Sequence, residues 1–228
     1  LISTLMSFIK NKDINLSLLS ELLSIPTFAE IESEMENIDP LKIYKTIDEL
    51  NYLFGTKLKK ELYLKLPEID KNLNKVWPEG KNERKLIETI WKLLLHSDDK
   101  EIKSKIINYV DSNLMTLSKA AMNSFSRIDC PERKTISNIF FNKWKHNSVV
   151  MDSWFSFNAS IETDEKTRSI EKLFDNKFFD SKSPNTLRAI LNTFVTRNRF
   201  FHALDGSGYK YIAKKIIDFD KLNPIVIS

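Results

Sequence analysis

The sequence predicts an all-α fold, with paired antiparallel helices stacked as a HEAT/armadillo-like α-solenoid. Three observations lead there. Apolar residues recur at spacings of three and four along most of the chain, the period of a helix with one buried face. No stretch alternates apolar and polar residues with the period of two that a half-buried strand needs. Only four glycines and seven prolines occur in 228 residues, too few for the many turns of a sandwich or barrel.

Residues 1–38 read as two or three N-terminal helices that pack on the rest of the chain or on an upstream domain. Ile43, Ile47, Leu50 and Phe54 then share one helical face. Ile87, Ile90, Trp91 and Leu94 share the next, followed by Ile102, Ile106 and Val110. Leu114, Leu117, Ala121 and Phe125 repeat the pattern, as do Ile136, Phe140 and Trp144. Val150, Met151 and Trp154 follow, then Ile170, Leu173 and Phe174. Leu187, Ile190, Leu191 and Phe194 give the cleanest stripe, and Tyr209, Ile212 and Ile216 close the series.

Boundary residues agree with these stripes. Asp39-Pro40, Cys130-Pro131 and Ser183-Pro184 place proline near a first helical turn, where its missing N–H costs nothing. Ser183 is a natural N-cap, and Asp164 is a second candidate. Asp205-Gly206-Ser207-Gly208 supplies the flexible backbone for a sharp entry into the last helix. The polar stretch Asp70 to Arg84, with Pro78 and Gly80, reads as a loop or a subdomain seam. About twelve short helices joined by short links make one helical domain over 1–228. No strict repeat of fixed period accompanies them.

Composition narrows the function. The net charge is +4, but lysines and glutamates are interspersed, which marks a solvated surface rather than a nucleic-acid patch. A single cysteine, Cys130, excludes an intrachain disulfide framework and fits a reducing, cytoplasmic location. No apolar run reaches the length of a membrane span. The first residue is Leu1, so the chain is expected to begin inside a longer protein.

Catalytic chemistry is hard to place here. The histidines are His96, His146 and His202. None has a second histidine one helical turn away, and no H-E-x-x-H motif occurs, so no zinc site is expected. Each histidine reads as structural or superficial. Cys130, before a helix start that would lower its pKa slightly, reads as a small residue at a helix entry. Gly206-Ser207-Gly208 lacks the spacing and preceding strand of a nucleophile elbow and reads as a turn. Trp77, Trp91, Trp144 and Trp154, with Phe140, Phe141, Phe155 and Phe157, read as core. Two sequons, at Asn15 and Asn158, are short enough to arise by chance.

Five segments in order resemble the C-terminal domain of the aminopeptidase N family of zinc metallopeptidases, in its monomeric, bacterial-type branch. They are Ile25-Pro26-Thr27 through Ile38-Asp39-Pro40, then Cys130-Pro131-Glu132-Arg133. Lys143-Trp144-Lys145-His146 with Val149-Val150-Met151-Asp152-Ser153-Trp154-Phe155 is the third, and Ser183-Pro184-Asn185 with Arg188 the fourth. The fifth comprises Phe201-His202-Ala203, Asp205 through Tyr209, and Asn223-Pro224.

The resemblance implies a non-catalytic all-α domain whose partner is its own catalytic domain within one polypeptide. Such a domain covers the active-site chamber and lines the channel for peptide substrate and product. The resemblance puts zinc in that catalytic domain and none in this chain; no catalytic residue transfers, and the fragment alone is expected to be inactive. Arg188 matches the arginine of the family's Asn-Pro-Asn-x-x-Arg segment. At the edge of its stripe it is a candidate channel residue that binds a peptide carboxylate; the bland alternative is an internal salt bridge. His202, Asp205 and Tyr209 are assigned to fixing their loop.

Two departures stand out. Thr196-Arg197-Asn198-Arg199-Phe200 is more basic than the family's usual small-residue stretch. The chain also stops at Ser228, where family members continue with further helices, so its last helices are expected to expose apolar surface. The competing reading is a free-standing helical-repeat scaffold that binds a protein or peptide in a groove.

Overall fold

The computed structural model describes residues 1–162 and 167–221. Thirteen α-helices and one 3₁₀ turn occur among the described residues, and no strand. By their contacts the residues gather into two compact units. The first is Leu1–Thr27 with Lys45–Ile139; the second is Phe28–Tyr44 with Phe140–Ser228. Asp164 and Asn223-Pro224 lie outside the described residues.

The first unit contains α1 (Ile2–Lys10), α2 (Leu16–Leu23), most of α4 (Pro40–Lys57), α5 (Lys59–Asp70), α6 (Lys81–His96), α7 (Lys100–Val110), α8 (Met115–Ser124) and the start of α9 (Glu132–Trp144). Helix α6 packs against α2, α5, α7 and α8. It can do so because it is apolar on more than one face: Leu86, Ile87, Ile90, Trp91, Leu93, Leu94 and Leu95 are all buried. Fully burying one such side chain contributes about 1.5–3 kcal/mol. Gly55 on α4 brings that helix against α6, for a Cβ at Gly55 would stand 2.0 Å from the Leu93 carbonyl oxygen. Asp99 caps α7 by accepting from the Ile102 N–H at 3.1 Å and pairs with Lys59 at 2.7 Å.

Residues 71–80 form the link between α5 and α6 that the sequence marks as a loop. Its organiser is Arg84, a buried residue. The guanidinium donates to the carbonyls of Leu73 (3.0 Å) and Lys75 (2.7 Å). Gly80 sits at φ 71° with no room for a side chain between Asn72 O and Arg84 Nη1. This link also corrects the assignment of Trp77 to the core. Trp77 is 72% exposed, because it lies on the link and not on a helical stripe.

The second unit contains α3 (Phe28–Glu32), the first residues of α4, the end of α9, α10 (Ser148–Ala159), α11 (Thr167–Phe174), α12 (Pro184–Arg197), the 3₁₀ turn Arg199–His202 and α13 (Ser207–Asp220). Helices α10 and α12 form its main pair. Met151, Phe155, Ala159, Ile170, Leu173, Ile190 and Phe194 make one buried cluster. The pair is stitched by Ser156 Oγ, which donates to Ala189 O at 3.1 Å, and by Thr193 Oγ1 to Ser156 Oγ at 3.1 Å. The closing stripe differs from expectation. Tyr209 and Ile216 are exposed, and α13 buries Gly208 and Phe219 instead.

Candidate functional site

Helix α12 carries the residue the sequence singles out. Ser183 accepts from the Thr186 N–H (3.3 Å) and Pro184 occupies the first helical position, so the helix starts where the sequence places it. Thr186 donates to Asp152 Oδ1 on α10 at 2.8 Å. Leu187, Ile190 and Phe194 are buried. With that face committed to the core, Arg188 turns to solvent and is exposed. Among the described residues no carboxylate pairs with it. An exposed guanidinium keeps five donors for an outside acceptor.

The loop after α12 is held by contacts of several kinds. Asn198 is fully buried; its amide donates to Ala159 O (3.2 Å) and Ile161 O (2.7 Å), and its Oδ1 accepts from the Phe200 N–H at 3.0 Å. Arg199 pairs with Glu162, which gives the basic stretch a partner the sequence does not reveal. His202 Nδ1 lies 2.7 Å from the Tyr209 hydroxyl. The same ring stacks on Phe28, centroid to centroid 5.5 Å, and meets Phe201 edge-on at 4.8 Å. Burial lowers the His202 pKa, against an opposing pull from Glu32. Asp205 Oδ1 accepts from the Ser207 N–H at 2.9 Å, and Gly206 adopts φ 69° to start α13.

The structure thus brings His202 and Tyr209 into one cluster and sets Asp205 at the same turn. No hydrogen bond or ion pair among the described residues joins Arg188 to them. Asn198 and Arg84 are two buried polar residues whose roles the sequence does not reveal. A buried polar role leaves no periodic mark; the one available hint for Asn198 is its place between two arginines after an apolar stripe.

The remaining candidates separate. His96 ends α6, with Nδ1 against Lys92 O at 2.8 Å. His146 is exposed in the turn after α9. Among the described residues no three histidine, cysteine or acidic side chains gather as a metal site. Cys130 corrects an expectation. Its thiol pKa is raised, first by burial and then by its hydrogen bond to Glu132, whereas the helix start alone predicts a lowering. The half-buried thiol is therefore a poor nucleophile. No helix among the described residues is long and apolar enough to cross a membrane.

Fold and surface together define an all-α domain of the armadillo class. Over residues 1–228 the chain matches the family described as "Domain of unknown function (DUF3458_C) ARM repeats". It is 26% identical over 221 residues to Aminopeptidase N of Escherichia coli, covering 96% of this chain and 25% of that protein. It is 31% identical over 122 residues to Aminopeptidase N of Haemophilus influenzae, covering 53% of this chain and 14% of that protein. A solved structure, Legionella pneumophila aminopeptidase A in complex with aspartic acid, matches with a TM-score of 0.85 at 24% identity, over 99% of this chain and 28% of that one; it bears on the fold alone. The chain therefore belongs to the DUF3458_C ARM-repeat family, the C-terminal helical domain of the aminopeptidase N family. It spans about a quarter of the E. coli relative's length.

Proposed function

We propose that this chain is the non-catalytic helical domain of a zinc aminopeptidase that removes N-terminal residues from peptides. In that reading it covers the active-site chamber and lines the path of substrate and product. Zinc and the catalytic residues belong to a catalytic domain outside this chain, which is also its partner. The chain acts in the cytoplasm.

The observation that carries this reading is Arg188: exposed on α12, backed by a buried stripe, and with no ion-pair partner among the described residues. A guanidinium in that setting binds a peptide carboxylate by a charge-assisted, bidentate contact. His202, Asp205 and Tyr209 keep the loop after α12 in place, and so hold the surface beside it. The test is hydrolysis of aminoacyl-coumarin substrates by this chain alone and by the complete protein that contains it. The reading expects activity only in the complete protein, abolished by a chelator and restored by zinc. A complete protein with no metal-dependent activity would overturn it and leave the scaffold reading.

A further inference from the structure

The link between α5 and α6 carries an apolar tip. Val76 and Trp77 are neighbours on it and are 69% and 72% exposed. Leu64, on the outward face of α5 that runs into the same link, is 69% exposed. A tryptophan offers about 150–250 Å² to a partner, and the other three tryptophans of the chain are buried or half-buried. Apolar surface concentrated in this way marks a contact region.

The tip is held ready for a partner. Arg84 grips the Leu73 and Lys75 carbonyls just before it, and Asn72 donates to Glu83 Oε1 on α6 at 3.1 Å. A preorganised loop loses little freedom on binding, and tryptophan is among the residue types that most often anchor an interface. Charge gives the sign of the partner. Lys71, Lys75 and Lys81 flank the tip and are exposed; among the described residues none of them pairs with a carboxylate. Glu68, near the end of α5, pairs with buried Lys65 at 2.9 Å. Glu79 is the one carboxylate over residues 71–81, against those three lysines. The complementary surface is therefore apolar at its centre and acidic at its rim. The matched region is 25% of the E. coli relative, so in a protein of that length most of the polypeptide lies outside this domain and is available to supply that surface.

We infer that Val76 and Trp77, with Lys71, Lys75 and Lys81 around them, dock this domain onto an acid-rimmed apolar pocket of the catalytic domain in the same polypeptide. The inference rests on the proposed function for the identity of its occupant and does not involve Arg188. The experiment treats the complete protein with a zero-length carbodiimide cross-linker, which joins a lysine only to a carboxylate in contact with it, and maps the products by mass spectrometry. Acrylamide quenching of the complete protein and its Trp77→Phe variant isolates the emission of Trp77. Expected are cross-links from these lysines to carboxylates of the catalytic domain, in a yield unchanged by dilution, and a blue-shifted Trp77 emission that escapes acrylamide. The Lys71→Glu/Lys75→Glu double variant should open Trp77 to the quencher. A Trp77 quenched as freely as N-acetyl-tryptophanamide, cross-links only to carboxylates of this chain, or cross-links between two copies that vanish on dilution would overturn the inference. Neither readout needs peptidase activity. A protected, cross-linked tip in a protein without metal-dependent hydrolysis would sink the enzyme reading alone; a freely quenched Trp77 in an active peptidase would sink this inference alone.

Discussion

His202 Nδ1 and the Tyr209 hydroxyl stand 2.7 Å apart, so a 3₁₀ turn and the first turn of α13 are joined across the Ala203–Gly206 bend. Tyr209 is half exposed, and the bond is correspondingly modest. Tyr209→Phe keeps the ring contacts with Phe201 at 4.5 Å and removes only the hydroxyl. It should cost about 1 kcal/mol, read as a lowered urea midpoint with an unchanged m-value.

The two glycines at that bend should respond differently. A Cβ at Gly208 would stand 2.2 Å from Phe201 O, a backbone atom that cannot move aside cheaply. Gly206 has open space around it and only its φ of 69° to defend. Gly206→Ala should cost about 1–2 kcal/mol, the left-handed penalty for a residue with a Cβ. Gly208→Ala should cost more, about 3 kcal/mol, from steric overlap. Thermal unfolding of the two variants side by side decides the order.

Asn198 bridges Ala159 O and Ile161 O from a fully buried position. Asn198→Ala leaves those carbonyls without a donor and should destabilise by about 3 kcal/mol. Asn198→Asp should be at least as harmful, since it replaces the donors with a charge that burial penalises. Equilibrium denaturation of both variants checks this; an Asp variant as stable as the parent chain would refute the donor role.

Acid should destabilise the fold through two histidines. His96 and His202 both have pKa values lowered from the ordinary 6.5, in each case chiefly by burial. Around His96, Asp48 opposes that shift, as does the Lys92 carbonyl, while Arg127 and Lys92 reinforce it. The unfolded chain therefore binds protons first as pH falls below 6.5. The stability held above that pH is lost as pH falls toward the folded-state values. Denaturation midpoints should drop as pH falls below about 6.5, and His96→Gln should flatten part of that slope.

Much of this architecture was legible in the sequence, and the exceptions have physical causes. Leu187, Ile190 and Phe194 repeat at helical spacing and are buried, because a helix's inner face needs no partner-specific information to be recognised. Pro184 and Ser183 marked a helix start for local reasons of the same kind. Trp77 is exposed because it lies on a link between helices, and the closing stripe departs from expectation because period alone does not say which face a neighbour covers. Ile216 has the spacing of a core residue and is 41% exposed. Arg84 and Asn198 are invisible to pattern reading, since a buried polar side chain is defined by distant carbonyls rather than by its own neighbours in sequence. For the candidate site, Arg188 could be placed at the edge of a stripe. The ion pair that satisfies Arg199, and the absence of one at Arg188 among the described residues, required the fold.

Arg188 is also where the functional account is most exposed to failure. Since its side chain makes no ion pair among the described residues, Arg188→Ala should change the stability of this chain by no more than about 0.5 kcal/mol. The deciding measurement is steady-state hydrolysis by the complete protein carrying Arg188→Ala, with aminoacyl-coumarins compared against longer free peptides. The account predicts a raised KM for the longer peptides, about tenfold or more for a lost charge-assisted contact, with kcat and the single-residue substrates unchanged. Equal kinetics on both substrate classes would contradict a role for Arg188 on the peptide path.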